Sequence, residues 1–263
     1  MEIEKDNIYN IDCIEGMKMI PDNSIDCIIC DLPYEVLHKA NPHAQWDRII
    51  PIEPLWEQYL RITKDNAPII LFAQGMFTSQ LVMSQPKYWR YNLVWDKQST
   101  TGFLNASRCP LRQHEDIVVF YKKQCVYNPQ MIPSEPHNAR AKKKYEKEKA
   151  DSEYRHNRVF NAYEEFGTRV TCEKYPTSIL SFPTEPKARR LHPTQKPIEL
   201  LRWLVRSYSN EGDTILDNCM GSGTTAIACI KEHRHFIGFE LNKEYYDKAL
   251  QRINRERQQL TLF

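Results

Sequence analysis

Between Thr214 and Glu240 the chain runs apolar segment, glycine turn, helical stretch and second apolar segment, an order that leaves few folds open. Thr214 to Leu216 reads as a short strand, Gly223 to Glu232 as the helix after it, and His235 to Glu240 as the next strand. Strand–loop–helix–strand at this spacing is the half-unit of an open, parallel α/β sheet. The turn is Asp217-Asn218-Cys219-Met220-Gly221-Ser222-Gly223-Thr224-Thr225. Its glycines allow φ > 0 and close approach of backbone to a ligand. The free N–H groups that open the helix suit an anionic or carboxylate-bearing group. Glu240 closes the following strand, where an acid can bind both hydroxyls of a ribose. The pattern fits a nucleoside cofactor and leaves open which one; Ala226 stands at the last position of a G-x-G-x-x-G. A glycine turn without any ligand has the same look.

The first third of the chain carries the same rhythm. Ser24 to Cys30 is an isoleucine-rich run, bounded by Pro21-Asp22-Asn23 and Asp31-Leu32-Pro33, and is expected as a buried parallel strand. Leu55 to Ile62 reads as helix, Ala67 to Ala73 as a second buried strand, and Met76 to Met83 as another helix. Tyr91 to Trp95 and Ile117 to Tyr121 are bulky apolar strands, expected to pair antiparallel near a sheet edge. Toward the end, Ile198 to Tyr208 is a helix begun by Pro197, and Lys243 to Arg257 a long closing helix.

Between these halves the composition changes. From Pro129 to Leu191 there are 13 Lys/Arg against 9 Asp/Glu, 13 − 9 = +4, whereas the whole chain carries only +2. Any basic footprint is therefore local. Six prolines (Pro129, Pro133, Pro136, Pro176, Pro183, Pro186) argue against a continuous sheet in this block, and Ala139 to Tyr154 is a polar, helix-like run without an apolar stripe. The block reads as an insertion: 1–128 and 191–263 form the two halves of one α/β domain, and 129–190 interrupts them. Among the eight cysteines only Cys27 and Cys30 are closely spaced; they lie in an apolar run, so no metal site is expected, and His38, His43, His114, His137 and His156 show no metal spacing either. The charged N-terminus and the absence of a long apolar window lead us to expect a cytoplasmic protein with reduced thiols.

Two further constellations carry chemistry. Asp31-Leu32-Pro33-Tyr34 stands at the carboxyl end of the first buried strand, where open α/β sheets bind ligands. An exocyclic amino nitrogen is a poor nucleophile because its lone pair is delocalised into the ring. A carboxylate and a backbone carbonyl that accept its two N–H hydrogens favour a pyramidal, more nucleophilic nitrogen. Asp31 and the carbonyl of Leu32 are spaced for this, Pro33 fixes the turn, and Tyr34 offers a face for a flipped base. A capping aspartate in a tight turn has the same short signature. The third constellation, His192-Pro193-Thr194-Gln195-Lys196-Pro197, is a rigid polar loop at a helix start, suited to the charged end of a cofactor or to simple capping.

In this order, D-L-P-Y, H-P-T-Q-K-P, D-x-x-M-G-S-G-T-T and G-F-E-L-x-x-x-Y-Y resemble the β-class amino-methyltransferases of DNA, in which the catalytic motif precedes the cofactor motif. The similarity continues through Trp46-Asp47, Leu71-Phe72, Trp95-Asp96-Lys97, Gly102-Phe103-Leu104-Asn105 and His114-Glu115-Asp116-Ile117, and is weakest over 138–168. The resemblance implies a doubly wound, Rossmann-like methyltransferase sheet, mostly parallel with an antiparallel edge hairpin. It also implies S-adenosylmethionine as cofactor, double-stranded DNA as partner, and no metal; a homodimer is common in the family. Asp31, Leu32, Pro33 and Tyr34 match the catalytic motif. Asp217, Gly221, Ser222 and Gly223 match the cradle of the cofactor's methionine part. Glu240 matches the ribose acid, Asp12 with Cys13 the adenine contact, and Thr194, Gln195 and Lys196 the loop near the methionine carboxylate. N6 of adenine is the expected target, because related N4-cytosine enzymes usually carry serine where Asp31 stands. The chain departs from the family at Leu32, where proline is commoner, at Asn218-Cys219, where a proline–aromatic pair is commoner, and at Glu35, where glycine is frequent. The inserted block is the expected target-recognition region, with Lys142, Lys143, Lys144, Arg155, Arg158, Arg189 and Arg190 as candidate phosphate contacts.

Overall fold

A computed structural model of the 263-residue chain describes residues 2–34, 49–139, 169–186, 188 and 190–260. Glu35, His38, His43, Trp46-Asp47, the polar run from 140 onward with Lys142, Lys143, Lys144, Arg155, His156 and Arg158, and Arg189 lie outside the described residues.

The chain divides into two compact units, one built from Met1–Asn128 and Thr177–Phe263, the other from Pro129–Pro176. In the first unit the elements are β1 (Asn7–Tyr9), α1 (Cys13–Lys18), β2 (Cys27–Asp31), α2 (Ile52–Ile62), β3 (Ile69–Ala73), α3 (Met76–Ser84), β4 (Trp89–Thr101) and β5 (Arg112–Phe120). After the second unit come β8 (Ile179–Ser181), α4 (Ile198–Tyr208), β9 (Thr214–Asp217), α5 (Thr224–Lys231), β10 (His235–Phe239) and α6 (Lys243–Leu260). Eight strands form one sheet in the order β1-β10-β9-β2-β3-β5-β4-β8. Neighbouring pairs are parallel except β3–β5 and β4–β5, so β5 alone runs against the rest. The expected antiparallel hairpin is β4–β5; the short β8, which has no signal in the sequence, lies outside it.

Both faces of the sheet are covered, which is why its central strands read as continuous apolar runs. Alternation sorts the side chains. Cys27, Ile29, Ile70, Phe72, Ile117, Val119 and Ile215 pack with Leu200, Leu201, Leu204 and Val205 of α4, Ile227 of α5 and Ile253 of α6. Ile28, Cys30, Ile69, Leu71, Val118, Phe120 and Leu216 pack with Met17 of α1, Leu55 and Tyr59 of α2, and Leu81 of α3. Each fully buried side chain of this size contributes about 1.5–3 kcal/mol. The helices place these residues by spacing: Leu55, Tyr59 and Ile62, or Leu200, Leu204 and Tyr208, recur on one stripe and are buried.

The second unit holds a two-stranded antiparallel sheet, β6 (Ile132–Ala139) with β7 (Arg169–Lys174). Its ladder shifts register between Pro133 and His137, where two prolines withhold N–H donors. This block forms a short, broken ladder, and Ala139, the first residue of the expected polar helix, ends a strand.

Candidate active site

The strand order sets the site. Because β1, β10, β9 and β2 are neighbours and parallel, the residues at their carboxyl ends fall in a row: Asp12 after β1, Glu240 after β10, Asp217 ending β9 and Asp31 ending β2. Sequence separations of some two hundred residues thus vanish at one edge. A cleft of about 1000 Å³ opens there; Asp12, Cys13, Asp31, Leu32, Pro33, Tyr34, Thr194, Gln195, Lys196, Asp217, Gly221, Ser222 and Glu240 line it, whereas Gly223, expected with them, faces Ala249 and Ile253 of α6. That volume is at the upper end for sites that hold one small ligand.

The glycine turn is tied down from several sides. Gly221 (φ 52) and Gly223 (φ 77) both occupy the left-handed region. The N–H of Gly221 donates to Oε2 of Glu240 at 2.8 Å, and that of Asn242 to Oε1 at 2.8 Å. Arg252 reaches over from α6 and donates to the Ser222 carbonyl and to Thr224 Oγ1, each at 3.0 Å. Met220 N–H donates to the Phe239 carbonyl, which fastens the turn to β10. Asp217 accepts from Thr225 Oγ1 at 2.5 Å and from the Cys219 N–H at 3.1 Å. Burial nevertheless pushes its carboxyl up to about 6, although those two hydrogen bonds oppose the rise. Burial also raises Glu240, against the pull of the two backbone N–H groups. Two poorly solvated acids beside a glycine turn suit a ligand that brings both a cationic group and hydroxyl donors. Asp12 caps α1, accepting from the N–H groups of Ile14 and Glu15 at 2.9 and 3.2 Å. Behind it Cys13 is lowered, first by its hydrogen bond with Cys219, while Cys219 is raised by the same bond. Asn218, one of the departures from the family, accepts the Tyr59 hydroxyl at 2.5 Å.

The second half of the cleft is ionic. Lys196 donates to Asp31 Oδ2 at 2.6 Å and stands 3.4 Å from Glu115 Oε2; Lys97 donates to Glu115 Oε1 at 3.2 Å. Burial works against the Lys196 ammonium, but Asp31, Tyr34 and Glu115 outweigh it and raise its pKa above the ordinary lysine value. Glu115 is likewise pushed up by burial and brought below its ordinary value by Lys196 and Lys97. The ammonium also faces the Phe72 ring, 5.0 Å from its centroid. Two acids and two ammoniums thus form one buried, charge-balanced group, and it ends on the carboxylate of Asp31. Tyr34 is half-buried, backed by Phe77 with centroids 5.4 Å apart. Thr194 donates to His192 Nδ1 at 3.3 Å through its N–H, and Gln195 accepts the Leu191 N–H at 2.9 Å, so part of this loop's polarity shapes the loop itself.

A family model described as DNA methylase (N6_N4_Mtase) matches residues 25–251. The chain belongs to that family. The match takes in both the D-L-P-Y strand end and the glycine turn, and the relatives agree with it. The DNA adenine methyltransferase YhdJ of Escherichia coli (strain K12) is 27% identical over 277 residues, covering 95% of this chain and 83% of that protein. Among solved structures, the M1.HpyAVI–SAM complex has a TM-score of 0.62 at 23% identity, with 94% of this chain and 98% of that one covered. The PvuII DNA methyltransferase (cytosine-N4-specific) has a TM-score of 0.63 at 13% identity, with 97% and 92% covered. The chain is therefore a DNA amino-methyltransferase by family, on a Rossmann-like sheet.

Lys97 and Glu115 entered the sequence reading only inside strings of family similarity, and Tyr59 not at all as a site residue. A signal was present. Leu93, Trp95 and Lys97 share one face of β4, and Glu115, Ile117 and Val119 one face of β5, with Trp95 opposite Glu115. A lysine and a glutamate in phase with core residues on paired strands mark a buried ion pair. Lys196 was expected near a methionine carboxylate; its ammonium lies on Asp31. Of the candidate phosphate contacts Arg190 is described, donating to the Glu185 carbonyl at 2.7 Å. Among the described residues no group of His, Cys, Asp and Glu comes together that could hold a metal ion, and no helix is long and apolar enough to cross a membrane.

Proposed function

We propose that this chain methylates N6 of adenine in double-stranded DNA, with S-adenosylmethionine as the methyl source. One observation carries the reading: in a single cleft, an aspartate held by a buried lysine ends β2, next to a glycine turn flanked by two buried acids. S-adenosylmethionine, when bound, supplies a methyl group on a sulfonium, which is already a good leaving group. The turn fits that group. Gly221 admits backbone close to it, Glu240 keeps lone pairs for ribose hydroxyls, and Asp217 is a carboxylate that a nearby ammonium would stabilise. Asp12 and Cys13 border the part of the cleft assigned to its adenine, and Thr194, Gln195 and Lys196 the loop between cofactor and target.

Asp31 accepts one N–H of the target amino group and the Leu32 carbonyl the other, which directs the nitrogen lone pair at the methyl carbon. Lys196 holds the Asp31 carboxylate in place, and Tyr34, with Phe77 behind it, receives the flipped base on its ring. The nitrogen would take the methyl group as the C–S bond breaks and a neutral thioether leaves, and its surplus proton would pass by way of Asp31 to solvent, with no covalent enzyme intermediate. Aspartate at position 31 favours adenine over cytosine. The unit Pro129–Pro176 with the residues up to 190 is the region assigned to target recognition.

The test is to incubate the protein with isotopically labelled S-adenosylmethionine and unmethylated genomic DNA or RNA, then identify the labelled nucleosides by mass spectrometry. N6-methyladenine in DNA is expected. N4-methylcytosine would overturn the choice of base and keep the chemistry; label confined to RNA, or none, would overturn the reading.

A further inference from the structure

The hairpin between β4 and β5 ends in a tip whose two leading side chains have no place in the fold. Gly102 (φ 86) turns the chain out of β4, and Phe103–Asn105 forms one turn of 3₁₀-helix. Phe103 is 81% exposed and Leu104 95% exposed. A single exposed leucine is ordinary. Two adjacent large apolar side chains at the apex of a loop are less so, because either would contribute about 1.5–3 kcal/mol if buried. The tip keeps its shape by backbone bonds: Asn105 N–H to the Gly102 carbonyl, Ala106 N–H to that of Phe103, and Arg108 and Cys109 N–H to that of Asn105, all between 2.9 and 3.0 Å. The side chains are thus presented by an ordered turn.

Position and charge say what they face. Thr101, Gly102, Asn105 and Arg112 line the same cleft as Asp31 and Tyr34, so the inner side of the tip forms part of the cleft wall while Phe103 and Leu104 project into solvent. Residues 98–113 include Arg108 and Arg112 and neither aspartate nor glutamate. An apolar apex flanked by arginines complements a base stack flanked by phosphates. A nitrogen inside a duplex reaches Asp31 only if its base leaves the stack, and this opens a gap whose neighbours lose stacking. Apolar wedges placed between base steps offset that loss.

We propose that Phe103 and Leu104 insert into the DNA base stack beside the target and occupy the space vacated by the flipped base. This rests on the DNA methyltransferase reading above and adds to it the part of the chain that drives extrusion. Neither side chain belongs to the core, so Phe103→Ser with Leu104→Ser leaves the fold and the cofactor site intact.

The recognition sequence is first read by sequencing DNA modified by the wild-type protein. Duplexes with that sequence are then prepared with the target adenine paired, with the target opposite an abasic site, and with 2-aminopurine at the target position. The double variant is expected to bind S-adenosylmethionine as wild type does and to lose most of the 2-aminopurine fluorescence rise on binding. Its methylation of the paired duplex should fall at least about tenfold, and by no more than about threefold where the target is unpaired. Equal losses on paired and unpaired targets would overturn the wedge, since the tip would then only touch DNA or a different macromolecule. Unchanged activity would overturn it too. If wild-type protein leaves DNA unmodified, the reaction assignment fails first, and the wedge with it.

Discussion

At the scale of residues, the account turns on Lys196. It is buried between two carboxylates, and removing it takes the ammonium from Asp31 and leaves Glu115 with Lys97 alone. Lys196→Met should therefore lower the methylation rate by about 10²-fold or more, as loss of a charge-stabilising group at a reacting centre does. It should also lower stability by about 3–5 kcal/mol, because a buried pair is broken from one side. Glu115 would lose one of the two ammoniums that hold its carboxyl below the ordinary value, so the variant's activity should disappear at a higher pH than wild type's as acid is added. A pH–rate profile reads this; a uniform loss with unchanged pH dependence would mean that Lys196 matters only for folding. Asp217 gives a second pH prediction. Its carboxyl is raised to about 6, above the value of an exposed aspartate, so the native state favours the protonated form. That contribution is fully present below the unfolded value of about 3.9 and is lost as pH rises through about 6. Near pH 7.5 the ligand-free protein thus carries an ionised buried acid, at a penalty on the order of 2–3 kcal/mol. Relative to wild type, Asp217→Asn should gain thermal stability between pH 4 and 7.5, and it should bind S-adenosylmethionine more weakly at pH 7.5. Wild-type affinity should fall as pH drops below about 6, measurable by calorimetric titration.

At the scale of elements, the glycine turn and the sheet edge act as one part. Gly223 sits at φ 77, and a Cβ there would come within 3.3 Å of Ala249 on α6. Gly223→Ala should destabilise the protein by about 1–2 kcal/mol through backbone conformation alone. Tilting the turn against Ala249 should also weaken cofactor binding; a thermal melt and a binding titration on the same sample separate the two effects. This turn was legible in the sequence because its glycines, its strand and Glu240 lie within one short stretch. So were the core strands β2 and β3, apolar up to Asp31 at the end of β2 since both sheet faces are covered. β1 and β8 were not: three residues each, half-polar, they are strands only because a neighbour offers a free edge. The strands of the hairpin were seen only at their apolar centres, since beyond Trp95 and before Ile117 the residues are polar, even where Lys97 and Glu115 are turned inward. The partners of Asp31 were hidden for a related reason. Lys97, Glu115 and Lys196 come from three separate segments, and only the strand order β2-β3-β5-β4 brings the first two near the third.

At the scale of the molecule, the site is assembled by topology and the duplex must be held by charge. A net charge of +2 over 263 residues gives little general attraction to DNA, and the basic block is where we propose most of it is supplied. Serine at Lys142, Lys143, Lys144, Arg155 and Arg158 together should weaken DNA binding and flatten its salt dependence, the log–log slope falling by about 0.9 for each phosphate no longer neutralised. Affinity for S-adenosylmethionine should not move, because the cleft is lined by residues of the other unit. An unchanged salt slope would place the DNA-binding charge elsewhere. The order of motifs, catalytic strand end before glycine turn, has no effect on the finished site: β2 and β9 are neighbours, and the sheet joins their ends whichever comes first.

The central claim is that the Asp31 carboxylate, fixed by Lys196, meets the target amino group. Its most direct test is the single-turnover rate of methyl transfer by Asp31→Asn, with cofactor and DNA both saturating so that binding drops out. Asparagine keeps the size and loses the charge. A rate lower by about 10²- to 10⁴-fold, with cofactor and DNA affinities near wild type, is the expected result. A rate within about threefold of wild type would contradict the claim, and would move the chemistry from Asp31 to another wall of the cleft.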